Sequence, residues 1–249
     1  HFEDGFPIIG ENGKVPEVVT VLDTGYQYAA INGSDDFFYK PDENGQITLK
    51  NFWEFNHQQM DDFWSVTENP GHLRLHSAKL SPTLFQAYNT LTQRTVGPKC
   101  AAEVTLRFAH MKNGDVAGIS TFIGNYGFTG VKKENDQFYL IMMGRPAKDT
   151  TVFGQFEYEN PGLEYARVPI YGESICLRAE ADFTDKRDLS SFYYKEGDNW
   201  QKLGIDQPMY FKMDLFTGCR FGLFYYSTEQ TGGYVDFSKF QFIWPEYVY

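Results

Sequence analysis

Nowhere in this chain do apolar residues hold a helical period for more than about three turns. Glycine and proline interrupt it at short intervals, and the stretches between them alternate or run apolar over strand lengths. Such a chain is confined to an all-β fold of many short strands, a sandwich or a barrel. Over 102–108 the alternation is clean, with Val104, Leu106 and Phe108 on one face and Glu103, Thr105 and Arg107 on the other. Phe138 to Met143 form an unbroken apolar run, as expected of a strand covered on both sides. Leu189 to Tyr194, the turn Glu196-Gly-Asp-Asn199 and Trp200 read as strand, tight turn, strand. Phe221–Tyr226 and Val235–Trp244 are expected as further strands that close the chain.

The length of 249 residues fits one large sandwich or two small domains, and an aromatic content of 18%, mostly 23 Phe and 17 Tyr, supplies core volume. Tyrosine also suits a half-wet sugar-binding face, although any strand-rich sheet carries it. A net charge of −11 repels nucleic acid and anionic membrane surfaces and leaves neutral polysaccharides or cationic partners. No apolar run approaches the roughly 20 residues that span a bilayer. Cys100, Cys176 and Cys219 lie far apart without a C-x-x-C pair, which argues against a disulfide framework or structural zinc and for small buried hydrophobes. Residues 1–33 are turn-rich and are read as a leading segment, with the sandwich over 34–249. A start at His1 points to a fragment whose true N-terminus lies upstream.

The motif Glu3-Asp-Gly-Phe-Pro-Ile-Ile-Gly-Glu-Asn-Gly-Lys-Val-Pro16 resembles the end of a glycoside hydrolase family 43 catalytic propeller. Then come Ser34-Asp-Asp-Phe37, Trp53-Glu-Phe-Asn-His57, Phe63-Trp-Ser-Val-Thr67, Pro70-Gly-His-Leu-Arg-Leu75, Asn89-Thr-Leu-Thr-Gln-Arg-Thr95, Gly114-Asp-Val-Ala-Gly118, Tyr126-Gly-Phe128 and Gly233-Tyr-Val-Asp-Phe237. In that order they resemble the C-terminal concanavalin-A-like jelly-roll β-sandwich of family 43 β-xylosidases, and also carbohydrate-binding module family 91. The resemblance implies xylan or xylo-oligosaccharide as ligand and an upstream family 43 catalytic propeller as partner. It also implies that the catalytic acids belong to that propeller. A sandwich loop lends an aromatic near the active-site mouth in such enzymes, and Phe216 is the residue assigned to it.

Sugar recognition needs an apolar platform for the C–H face of a pyranose and polar groups beside it. Trp64, Tyr126, Phe128, Trp200 and Tyr226 are the platform candidates, each with core packing as the competing fate. Tyr126 and Phe128 share a face by parity, and Gly124, Gly127 and Gly130 leave room for close approach, so this pair is preferred. Gln86, Tyr88, Thr90, Thr92 and Arg94 fall on one face if their strand is continuous, either as a sugar groove or as an ordinary solvated face. Gln93 then points awkwardly to the other side.

Glu180 and Asp182 are alternate residues on a strand, near the separation of about 5 to 5.5 Å that a retaining glycosidase needs. A third acid, Asp185, comes after polar Thr184 with Lys186 and Arg187 directly behind it, which reads instead as a strand ending in a charged turn. No cofactor is implied, with calcium at Asp236 the one candidate, against Asp236 capping a turn or bonding to a neighbouring strand, which is preferred. The main expectation is a non-catalytic xylan-directed binding module. The alternatives are a structural domain bracing the propeller and, weaker, an independent glycosidase.

Overall fold

A computed structural model describes residues 2–7, 10, 14–15, 18, 24–145, 160–209 and 218–244. A small leading hairpin pairs β1 (Phe2–Glu3) with β2 (Phe6–Pro7). The first half of the sandwich supplies β3 (Glu54–Phe55), β4 (Trp64–Ser65), β5 (Leu73–His76), β6 (Leu91–Arg94) and β7 (Lys99–Arg107). Then come β8 (Asp115–Phe122), β9 (Gly127–Glu134), β10 (Gln137–Gly144), β11 (Leu163–Ile170) and β12 (Ser174–Asp182). The last strands are β13 (Leu189–Glu196), β14 (Asn199–Lys202), β15 (Gln207–Pro208), β16 (Arg220–Ser227) and β17 (Tyr234–Ile243).

These strands form two antiparallel sheets. The first runs β11-β10-β9-β8-β16-β6-β3 and the second β14-β13-β12-β7-β17-β5-β4, with β15 also on β13. Neighbours distant in sequence, such as β8 beside β16 and β7 beside β17, make this the jelly-roll sandwich of the concanavalin-A-like class. The strands expected over 102–108, 138–143, 189–194, 221–226 and 235–244 are present to within a few residues at their ends. In β7, Val104 and Leu106 are buried while Thr105 is half-buried and Arg107 exposed, as alternation demands.

The main core lies between the sheets, where Ala117, Ile119, Leu140, Met142, Phe221 and Leu223 meet Leu73, Leu75, Val104, Leu106, Leu177 and Phe237. At β17 the alternation breaks by a bulge between Ser238 and Gln241, with Lys239 at φ 53°. The bulge turns Phe240 inward, fully buried, with its ring 4.8 Å from that of Trp53.

A second apolar cluster occupies the outer face of the first sheet. Val116, Phe122, Phe128, Ile141, Phe224 and Tyr226 pack there with Leu84, Phe85 and Tyr126. The run over 138–143 is apolar for this reason: Leu140 and Met142 face the main core, Ile141 the second cluster.

Candidate functional site

The preferred platform falls into that second cluster. Tyr126 and Phe128 do share a side, their rings 6.2 Å apart and 22° from parallel, but both have 0% exposure. Phe85, from the turn Leu84–Gln86, packs edge-on against Tyr126 at 5.0 Å, and Arg145 lies 5.0 Å over Phe85. The Tyr126 hydroxyl is spent on the Pro161 carbonyl at 3.2 Å, and burial pushes its pKa up to about 12. Tyr226 is buried beside Phe224 in the same cluster. A ring without an open face has no C–H surface to offer a pyranose, so Tyr126 and Phe128 are corrected to core residues.

The glycines around the pair serve the protein's own packing. A Cβ on Gly127 would lie 2.8 Å from the Phe192 ring, and one on Gly130 only 2.2 Å from the Ala117 carbonyl oxygen.

The polar row is likewise broken. Gln86 ends a 3-10 turn, Asn89 is left-handed at φ 56°, and β6 starts only at Leu91, so parity does not run from Gln86 to Arg94. Tyr88 sits under the Lys79 ammonium at 4.3 Å, with His57 on its other neighbourhood at 6.2 Å between rings. Arg94 is exposed at the far end, 3.7 Å from Glu54, which also holds Arg220 at 2.8 Å. These residues therefore do not line one continuous strand face. Phe216 lies outside the described residues.

Glu180 and Asp182 stand on the outer face of the second sheet, within an ion-pair ladder. Arg178 bonds Glu103 at 2.5 Å and Glu180 at 2.6 Å. Asp182 takes Lys99 at 2.9 Å, Arg187 at 2.6 Å and both the amide and hydroxyl of Thr184. Partial burial pushes the Asp182 carboxyl up, but the bonds from Thr184 and Lys99 outweigh it and hold the pKa at about 2. A carboxyl held ionised so firmly cannot act as a general acid near neutral pH. The charged-turn reading is the one that fits.

Asp236 is 5% exposed, and both its oxygens are occupied: Arg74 donates at 2.7 and 2.8 Å and Asn69 at 2.9 Å. Burial opposes ionisation, and the Arg74 and Asn69 bonds overcome it to keep the pKa below the usual carboxylate range. Arg74 lies opposite Asp236 on β5, so the two form a cross-strand ion pair, the bond to a neighbouring strand that is the alternative to calcium. Among the described residues no three His, Cys, Asp or Glu side chains gather into a metal-holding group.

Among the described residues, a densely connected polar site that the residue-by-residue reading missed gathers around Asp35. Asp35, 2% exposed, accepts from Trp53 Nε1 at 2.8 Å, the Phe37 amide at 2.9 Å and the Tyr39 hydroxyl, and pairs with Lys50 at 3.0 Å. Its own amide donates to the Phe240 carbonyl at 2.9 Å. Two residues earlier, the Gln93 amide accepts from the Gly33 N–H at 3.0 Å and donates to the Gly33 carbonyl at 3.1 Å. Gln93 therefore points inward to grip another segment's backbone. Its misfit in the expected register was the available signal.

Two antiparallel sheets stacked as a jelly roll define a concanavalin-A-like β-sandwich domain. The family profile for the β-xylosidase C-terminal concanavalin A-like domain matches residues 42–243, and the chain belongs to that family. A β-xylosidase of Formosa agariphila is 27% identical over 96% of this chain and 40% of its own length. A bifunctional GH43-CE protein of Bacteroides eggerthii superposes with a TM-score of 0.79 at 35% identity, over 97% of this chain and 30% of that one. A GH43 glycoside hydrolase engineered for endo-xylanase and exo-arabinofuranosidase activity gives 0.76 at 27% identity, over 88% and 42%. The chain thus spans less than half the length of each of these relatives. In family 43 enzymes the catalytic residues lie in a separate propeller domain, apart from this sandwich.

Proposed function

We propose that this chain is the accessory sandwich of a β-xylosidase-type family 43 enzyme, held rigidly against the catalytic propeller to brace it and complete its active-site mouth. The carrying observation is the junction: Gln93 and Asp35 fasten residues 33–35 to the sandwich, where an independently tethered module would have a flexible linker. Residues 1–33 are, in this reading, the end of the propeller and the connection to it. Their exposed apolar side chains support that, with Val15 83%, Val18 85% and Tyr28 88% exposed. Each such side chain gains about 1.5–3 kcal/mol when a partner covers it. Phe216 is the aromatic lent to the mouth.

The test compares the full-length enzyme with its catalytic domain alone and with that domain plus this chain added in trans. Rescue of xylosidase turnover in trans supports the reading. Equal turnover with and without the sandwich would sink it. Phe216→Ala in the full-length enzyme is expected to raise KM about tenfold, a loss of about 1.4 kcal/mol in substrate binding.

A second reading, direct binding of xylan or xylo-oligosaccharides, is favoured by an open cleft beside the exposed Tyr171.

A further inference from the structure

The two sheets do not close on each other along every edge. Strand β11 is the edge of the first sheet, and its Val168 and Ile170 face β12 and β13 of the second across a cleft of about 500 Å³. That volume lies within the range of roughly 300–1,000 Å³ that small-ligand sites occupy. The floor is apolar, from Phe108, Ile175 and the half-buried Tyr194. The rim is formed by two turns. One crosses between the sheets and carries Tyr171, which is 83% exposed, and the other is the β13–β14 hairpin with Lys195 and Glu196.

On the rim of this cleft the polar side chains differ in state from those of a second hollow, although Thr105 and Cys176 deeper in it bond each other at 3.3 Å. Beside Glu180 and Asp182 an open hollow of about 380 Å³ is lined by Arg178, Lys99, Lys202 and Asp206. Those charges are already satisfied by one another. At the edge cleft, the Tyr171 hydroxyl and the Glu196 carboxylate have no protein partner among the described residues. Lys195 makes only a distant approach, 5.8 Å, to the Trp200 ring. An exposed aromatic face, an apolar floor and unpaired hydroxyl and carboxylate groups together suit a ligand with alternating C–H and O–H surface. The one cation and one anion on the rim cancel, which selects against an ionic ligand.

We infer that the cleft between β11 and the β13–β14 hairpin is a binding site for a neutral pyranose chain, with Tyr171 as the stacking face and Glu196 as the hydroxyl acceptor. The inference rests on the xylan-binding reading and adds its place on the molecule, away from both the buried aromatic cluster and the ion-pair ladder.

The test is calorimetric titration of this chain with xylohexaose, alongside Tyr171→Ala, Glu196→Gln and Glu180→Gln. Both cleft residues are exposed, so melting temperatures should match the parent and report intact folding. Saturable millimolar binding, weakened about tenfold or more by Tyr171→Ala, weakened by Glu196→Gln and unaltered by Glu180→Gln, is the expected result. Binding that survives both cleft substitutions overturns the site while leaving xylan recognition standing. Absence of binding by the parent at about 10 mM xylohexaose overturns both, and leaves the bracing role to its own test.

Discussion

Asp236 shows how little freedom a buried carboxylate has. It is stable in the sheet because Arg74 meets it with two charge-assisted bonds and Asn69 with a third. Arg74→Ala leaves that charge unpaired and is expected to cost about 3 kcal/mol, read as a fall in the urea midpoint at unchanged slope. Calcium and EDTA should leave the melting temperature where it is, since no oxygen of Asp236 is free; a calcium-dependent rise would contradict this assignment. Acid should act in the direction set by the depressed carboxyls. Asp182 and Asp236 favour their ionised forms in the folded state, so the stability they contribute is present above the ordinary carboxylate pKa of about 4. For Asp182 it is lost as pH falls from there towards about 2. Arg187→Ala or Lys99→Ala should narrow that acid window, as measured by melting temperature between those pH values.

At the scale of strands, two opposed glycines set how tightly the first sheet is built. Gly118 on β8 and Gly130 on β9 face each other, and a Cβ on Gly118 would lie 2.2 Å from the Thr129 carbonyl oxygen. Because backbone must move to admit it, Gly118→Ala should destabilise by roughly 1–3 kcal/mol, with no effect from alanine at the exposed Gly197 hairpin beyond its turn strain. The strands most readable from sequence were those whose two faces differ. In β7 the alternation of Val104 and Leu106 with Thr105 and Arg107 matches what is buried. The stretch from Gln86 to Arg94 reads wrongly as one strand, because Pro82 lies before it and no glycine or proline falls inside it to mark the end of the 3-10 turn or the left-handed Asn89. A local break of that kind is imposed by where the segment must pack: the Phe85 ring against Phe122 and Tyr126, the Asn89 amide on the Met60 backbone.

At the scale of the whole molecule, the junction and the covered outer face decide how the sandwich relates to anything else. Gln93→Leu strips the Gly33 backbone of two bonds and should cost about 2 kcal/mol. In the full-length enzyme it should also loosen the domains, seen as faster proteolysis between them while the sandwich itself stays folded. If proteolysis at that junction is unchanged, Gln93 is merely a core polar residue and the bracing argument loses its main support.

Strand periodicity was enough to specify an all-β fold of many short strands, because alternation follows from covalent geometry and a two-residue repeat survives any context, while the choice of two stacked sheets and the family came from the resemblance carried by the order of the motifs. The same parity correctly put Tyr126 and Phe128 on one side. Only the tertiary structure decided that this side is dry, that Gln93 grips a distant glycine, and that Asp236 belongs to Arg74. Those outcomes depend on which distant segments come to lie against a residue, and no neighbour in sequence carries that information.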